Sequence, residues 1–341
     1  MGRPTQKDVA ELAGVSRATV SYVINKRSGG KVQITDETRQ RVLGAIEQLG
    51  YRPNVLARGL RTQRTHLIAV MVSDLTNPYY PRFIRGVQSI ANQLEYQTLI
   101  YDCNDDPDQE LAFVEMMIGR RVDGVIMVPF HLEKADVQRL VDANIKVSMI
   151  GLEIQGINGV DHVCFEEHEA VKEVIRYLYD KGHRRIAHIA GRQDFPPGRN
   201  RLIACKEALE ELGLSYDESL VRYGEFRRAG VRKLTESLFR EKTDPNRPTA
   251  LFAANDIMAI ESLQTLTAKG WKVPEDVAIC GFDNIPRSEV AVPDLTTVDQ
   301  SSQLKGQKAA ELLLSRLQEG SESMDSRFIT IPPKLVIRNS S

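Results

Sequence analysis

Residues able to bind hydroxyl groups recur wherever a short apolar run ends. After "LIAVMV" (67–72) come Ser73, Asp74, Asn77, Tyr79 and Tyr80. After "GVIMV" (124–128) come Pro129 and Phe130, and after "RIAHIA" (185–190) the segment Gly191 to Arg201. "LVRY" (220–223) is followed by Glu225 and Phe226, "ALFAA" (250–254) by Asn255 and Asp256, and "VAICGF" (277–282) by Asp283. Carboxylates and amides bind vicinal hydroxyls in pairs, and aromatic rings cover the C–H face of a polyol. Such a set suits a sugar-like ligand. Asp256 also stands where it could cap the next helix, so it reads as structure, with Asn255 nearer a ligand.

A second set lies near the start of the chain. Thr5 occupies a helix N-cap position, with Asp8 three residues on in capping-box spacing. Val9, Ala10, Leu12 and Ala13 then make an apolar stripe. Gly14 tolerates the positive φ of a tight inter-helix turn. Val15 can plug the space between helices, and Ser16 caps a second helix, "RATVSYVIN". There Val20, Val23 and Ile24 face one way, leaving Arg17, Ala18, Ser21, Tyr22 and Asn25 mostly on other faces. This is a helix-turn-helix, and the major groove of DNA admits one such helix. The first 65 residues hold 12 Lys and Arg against 5 Asp and Glu, although the whole chain has a net charge of −1. A basic head on an acidic body is the footprint of a nucleic-acid-binding module.

The loop "NKRSGGKVQ" follows, then a third helix, "DETRQRVLGAIEQLGY", capped by Thr35, striped by Val42, Ile46 and Leu49 and ended by Gly50. Pro53 stops that helix. "RPNVLARGLRTQRT" is too short to be a stable helix alone. It reads equally as a linker or as a segment that folds on DNA, with Leu60 between Arg58 and Arg61 suited to a minor-groove wedge.

The elements that must position the first set alternate strand and helix. Strands at 67–72, 97–101, 124–128 and 146–150 are separated by helices at 81–95, 108–119 and 134–143. A second series, with strands at 185–190, 220–223, 250–254 and 277–282, is interleaved with helices at 168–181, 199–212, 229–240 and 256–269. Alternation of this kind implies parallel sheets wrapped by helices, and two series imply two lobes. Ligands then bind beyond the carboxyl ends of the strands, in the cleft between the lobes.

Several function classes are not supported. No apolar run is long enough to span a membrane, and "MGRPTQKDVA" has no apolar core of a secretory signal. Four scattered cysteines, none in a CxxC pair, read as buried free thiols of a cytoplasmic protein. His162 and His168, or His183 and His188, lack helix-face spacing, so neither a metal nor another cofactor is expected. Met116 and Met117 read as core. The chain holds no GxSxG, P-loop or HExxH motif. The acid-rich "DCNDDPDQE" (102–110) reads as a solvated loop that could also help line the cleft.

Taken in order, "KDVAELAGVSRATVSYVIN", "ITDETRQRVLGAIEQLGYRPNVLARGLRT", "LIAVMVSDLTNPYY", "GHRRIAHIAG", "ANDIMAIESLQ", "GWKVPEDVAICGFDN" and "LTTVDQ" resemble the lactose-repressor (LacI/GalR) family of bacterial transcription regulators over nearly the whole chain. The resemblance implies an all-α helix-turn-helix head at 1–52, a hinge helix or linker at 53–65, and an α/β, two-lobed, periplasmic-binding-protein-like body at 66–338. Lobe 1 would take about 66–166 and 297–325, lobe 2 about 167–296 and 326–338. The head would bind a double-stranded operator as a homodimer, with no membrane involved, through Thr5, Ser16, Arg17, Ala18, Thr19, Ser21, Tyr22, Asn25, Tyr51, Asn54, Ala57, Arg58, Leu60 and Arg61. The body would bind a small-molecule effector, most simply a sugar, through Asp74, Tyr79, Tyr80, Phe130, Glu166, Arg201, Phe226, Asn255 and Asp283. Tyr22 departs from the Arg or His often found there and cannot read guanine bidentately, which shifts that readout toward Arg17. "VCFEEHEA" departs from the usual Asp-Asn, placing the longer Glu166 and Glu167 at the pocket. A purine-type co-repressor remains the alternative effector. A transport receptor or an α/β enzyme would share the body but leave residues 1–62 unexplained.

Overall fold

The computed structural model describes residues 4–24, 34–52, 64–151, 154, 156–319 and 325–341. The chain divides into two compact units, Met1–Thr65 and His66–Ser341.

The first unit holds three helices: α1 (Gln6–Ala13), α2 (Arg17–Ile24) and α3 (Asp36–Leu49). Thr5 and Asp8 close the capping box, with Thr5 N donating to Asp8 Oδ2 at 2.7 Å. Gly14 takes φ 65° and turns the chain after α1. Ser16 Oγ accepts from Thr19 N at 3.1 Å and starts α2. The small core gathers Val9, Ala10, Ala13, Val20, Val23, Val42, Ala45 and Tyr51. Leu12, expected in this stripe, is 47% exposed. The buried face of α1 is taken by Val9, Ala10 and Ala13 instead.

The second unit has two lobes. The first contributes β1 (Leu67–Val72), α4 (Tyr79–Ala91), β2 (Gln97–Asp102), α5 (Pro107–Arg120), β3 (Gly124–Met127), α6 (Lys134–Asp142), β4 (Lys146–Ile150) and β5 (Val160–Phe165). The second contributes α7 (Glu167–Asp180), β6 (Ile186–Ala190), α8 (Pro196–Glu211), β7 (Val221–Tyr223), α9 (Val231–Leu238), β8 (Ala250–Ala253), α10 (Asp256–Ala268) and β9 (Ala278–Cys280). The chain ends in β10 (Thr297–Asp299), α11 (Ser302–Glu319), β11 (Phe328–Ile331) and β12 (Lys334–Val336). One sheet runs β11-β5-β4-β3-β1-β2 and the other β7-β6-β8-β9, with every neighbouring pair parallel. β10 and β12 form an antiparallel pair, and bridges Cys280–Thr296 and Asp283–Asp299 dock it beside β9.

These last elements correct the expected lobe boundaries. Residues 297–299 belong with the second lobe, whereas β11 pairs with β5 in the first, Phe328 opposite His162. The chain therefore changes lobe near residues 166, 300 and 332. A four-residue strand carries no pattern that names its partner. Ile331, 4% exposed and packed with Val163, decides it. Beneath the first sheet, Asp161 is fully buried and accepts from Arg316 Nε at 3.0 Å and Arg327 Nη2 at 2.7 Å. That triad ties α11 and the entry to β11 onto β5.

Candidate functional site

Strand order switches between β1 and β3 in the first sheet and between β6 and β8 in the second. Parallel sheets leave a crevice beyond the carboxyl ends of their strands at such points. Here a cavity of about 440 Å³ opens between the lobes. All nine residues expected at the ligand line it: Asp74, Tyr79, Tyr80, Phe130, Glu166, Arg201, Phe226, Asn255 and Asp283.

Each is held by a local device. Asn77 Oδ1 accepts from Tyr79 N at 3.0 Å, so α4 begins at Tyr79 rather than at 81, and its first turn points both tyrosines inward. The Tyr80 hydroxyl shares a 2.6 Å hydrogen bond with Ser73 Oγ. Burial pushes both phenols above their ordinary pKa. Fully buried Glu110 accepts from the backbone N–H groups of Phe130, His131 and Leu132 at 2.9–3.0 Å, fixing the turn after β3. Phe130 meets Phe195 at 4.6 Å between ring centroids, and Phe195 stacks on Phe226 at 6.4 Å. Gly191 makes this ladder possible, because a Cβ there would lie 1.9 Å from Phe226 Cζ.

Asn255 lines the cavity and Asp256 is structural, as expected, but the helix cap falls to Asn255 rather than to Asp256. Asn255 is the N-cap of α10, its Oδ1 accepting from Met258 N at 3.0 Å while Nδ2 donates to Phe226 O at 2.8 Å. Asp256, fully buried, instead accepts from Ile285 N at 3.0 Å, Ser288 Oγ at 2.6 Å and Thr297 Oγ1. It braces the loop that presents Asp283. Asp283 itself holds φ 122°, a strained value for a non-glycine residue, fixed by donation from its N to Val298 O at 2.9 Å.

The cavity floor is a charged cluster. Arg201, 5% exposed on α8, donates from Nε to Glu167 Oε1 at 2.7 Å, reaches the Ala254 carbonyl, and lies 3.8 Å from Asp283 Oδ1. Its guanidinium covers Phe282 at 3.9 Å. Gln300 Nε2 donates to Asp283 Oδ1 at 2.5 Å. Lys305 Nζ, on the first turn of α11, donates to Gln300 Oε1 at 2.7 Å. Burial pushes the Asp283 carboxyl up to about 7, although Arg201 pulls it down. Burial pushes the Lys305 amine down to about 7, against the pull of Glu167. Across the lobes, Arg227 Nη2 pairs with Asp105 at 2.8 Å and Asp74 at 3.2 Å.

Arg227, Gln300 and Lys305 were not anticipated, and Phe195 fell inside the segment Gly191 to Arg201 without being singled out. Phe195 and Arg227 lie beside residues that were, within "GRQDFPPGR" and "GEFRR". Gln300 and Lys305 belong to the segment that recrosses between lobes, and no local pattern points to them. Asp105 shows that the acid-rich stretch does line the cleft. Among the described residues no cluster of His, Cys, Asp and Glu could hold a metal, and no helix is long and apolar enough to cross a membrane. The four cysteines are free thiols, three of them buried and Cys164 half-buried.

In the first unit, α2 leaves Arg17 and Ala18 exposed and Thr19, Ser21 and Tyr22 half-exposed, with Thr5 and Ser16 exposed at helix starts. Tyr51, 8% exposed, is part of the core, so its ring has a packing role. Asn25, Asn54, Ala57, Arg58, Leu60 and Arg61, with the loop "NKRSGGKVQ", lie outside the described residues.

Residues 5–54 match the profile described as bacterial regulatory proteins, lacI family, and residues 175–341 that of a periplasmic binding protein-like domain. The HTH-type transcriptional regulator DegA of Bacillus subtilis (strain 168) is 32% identical, over 99% of this chain and 98% of its own. The transcriptional regulator CelR–cellobiose complex matches with TM-score 0.72 and 33% identity over 99% of this chain and 100% of that one. The lac repressor dimer bound to operator and the anti-inducer ONPF matches with TM-score 0.84 and 26% identity over 99% of both chains.

Proposed function

The chain belongs to the lacI family of bacterial regulatory proteins, and from that premise we propose that it is a repressor that grips a palindromic operator as a homodimer and is controlled by a sugar held between the lobes of its body. The cavity carries the reading. Carboxylates, amides and a three-ring aromatic ladder converge on one space beyond the strand ends of both sheets. Hydrogen-bonding groups paired with stacking faces suit a polyol, and cellobiose in the CelR complex is a ligand of that kind.

At the operator, Arg17, Ala18, Ser21 and Tyr22 on α2 face base edges, while Thr5, Ser16 and Thr19 reach phosphates. Asn25, Asn54, Ala57, Arg58, Leu60 and Arg61 complete the contacts. One head makes too few contacts for specific binding, and two-fold pairing matches an inverted repeat, as in the operator-bound lac repressor dimer. The protein works in the cytoplasm, at the nucleoid when on DNA. Effector and operator are linked through a coupling free energy, about 1–3 kcal/mol in such systems, or about 5- to 150-fold in operator affinity.

The test is selection of duplexes from a random library by the full-length protein at physiological salt, followed by titration with sugars. An inverted repeat is expected to emerge, with an affinity that a sugar changes. No preference over random duplex, with or without any sugar, refutes the proposal. Repeating the selection with Arg17→Ala is expected to relax one base position in each half-site.

A further inference from the structure

Lys305 is a buried cation of the cavity that the reading above leaves unused. It is 3% exposed and lines the cavity, its Nζ 4.1 Å from the Phe165 ring centroid and 5.7 Å from that of Tyr79. An ammonium has three donors. Among the described residues, Gln300 Oε1 is the acceptor it reaches, at 2.7 Å. The other cations of the lining are placed differently. Arg201 Nε lies 2.7 Å from Glu167, and Arg227 Nη2 lies 2.8 Å from Asp105. No carboxylate among the described residues closes an ion pair with Lys305. A buried cation without its anion is costly, and here the cost sits in the wall of a ligand site.

We propose that the effector is a sugar acid, a polyol whose single carboxylate docks on Lys305 Nζ and supplies the missing charge. This rests on the reading of the cavity as a sugar site and adds the charge of the ligand to it. A phosphate would be drawn by the same ammonium. However, Asp74, Asp105, Glu166, Glu167 and Asp283 share the lining, and they repel a dianion more than a monoanion.

Lys305 must be protonated to hold the carboxylate. Facing it are Asp283, Glu167 and Asp299, which favour its charge, and Arg201, which opposes it. As pH rises through about 7, Lys305 loses its charge and Asp283 gains one. Both changes weaken binding of an anion, so affinity for a sugar acid falls between pH 6 and pH 8, whichever group holds the last proton.

The experiment is calorimetric titration of the full-length protein with matched pairs: galacturonate and galactose, glucuronate and glucose, gluconate and sorbitol. Glucose 6-phosphate serves as the phosphate arm. We expect one carboxylate to bind roughly 10- to 100-fold more tightly than its neutral partner, the strength of a charge-assisted hydrogen bond, and more weakly at pH 8 than at pH 6. Lys305→Met is expected to erase that preference, with its melting curve showing an intact fold. Equal or tighter binding of the neutral partner, tighter binding of the phosphate, or an unchanged preference in Lys305→Met would each overturn the proposal. Binding of neutral sugars alone leaves the sugar reading standing, whereas no binding of either kind removes both. The pH dependence of the unaltered protein decides the matter even if Lys305→Met does not fold.

Discussion

Replacing Asp283 with asparagine should stabilise the protein, and more so at high pH than at low. Burial pushes the Asp283 carboxyl from 3.8 to about 7. Between those values the unfolded chain has lost this proton and the folded chain has kept it. Stability therefore falls as pH rises through that interval and is constant above it. A shift of about 3 units at 1.36 kcal/mol each amounts to about 4 kcal/mol at pH 8 and about 2 kcal/mol at pH 5. Asparagine keeps the shape, and its Oδ1 can still accept from Gln300 Nε2, but it carries no charge to desolvate. The variant should exceed the parent by those amounts. At roughly 2–4 °C per kcal/mol for a body of this size, the melting temperature should rise by about 10 °C at pH 8. The assay is thermal unfolding of the full-length protein at pH 5 and pH 8, with and without the effector found by titration. At pH 8 the variant should keep or enlarge the shift given by an anionic effector, because the carboxylate that Asp283 becomes above about pH 7 repels an anion and asparagine does not. A variant less stable than the parent at pH 8, or a gap that does not widen from pH 5 to pH 8, refutes the reasoning.

Three further outcomes follow from the packing. Asp161→Ala removes the fully buried carboxylate that both Arg316 and Arg327 pair with, and should cost about 3 kcal/mol in urea unfolding. Burial pushes the Asp161 carboxyl up, but hydrogen bonds from both arginines and their charges outweigh it and hold the group below 3.8. The stabilisation is thus present above that value and lost as pH falls through the folded pKa, so the gap between parent and variant should close in acid. Gly191→Ala drives a methyl into Phe226, whose ring atoms lie 1.9–2.5 Å from the new Cβ. It should weaken effector binding at least about tenfold by calorimetry, given the overlap with a fixed ring; unchanged affinity would show that the ladder does not touch the ligand. Thr5→Ala removes the α1 cap and should cost the isolated head about 1 kcal/mol by circular dichroism melting, with Thr5→Ser restoring it.

Much of this was legible in the sequence because its signals are local. Capping pairs such as Thr5 with Asp8, the turn glycine Gly14, and the apolar periods of eight strands act over a few residues, so their positions hold whatever the rest of the chain does. The convergence of nine residues on one cavity follows from a general rule of parallel sheets, which aims every post-strand loop at the same end. Contacts between segments far apart in sequence were not legible. Asp161 finds Arg316 and Arg327 more than 150 residues away, and β11 chooses β5. Lys305 meets Asp283 through Gln300, and Asp256 rather than Asn255 is drawn into the bracing of the far loop. By itself, the sequence determined the eight strands and the helices between them up to residue 282 and which loops carry polar groups, but not β5 or the elements after residue 296. Only the tertiary structure decided which charges are buried and left without partners, because desolvation depends on everything packed around a group and not on its neighbours in the chain.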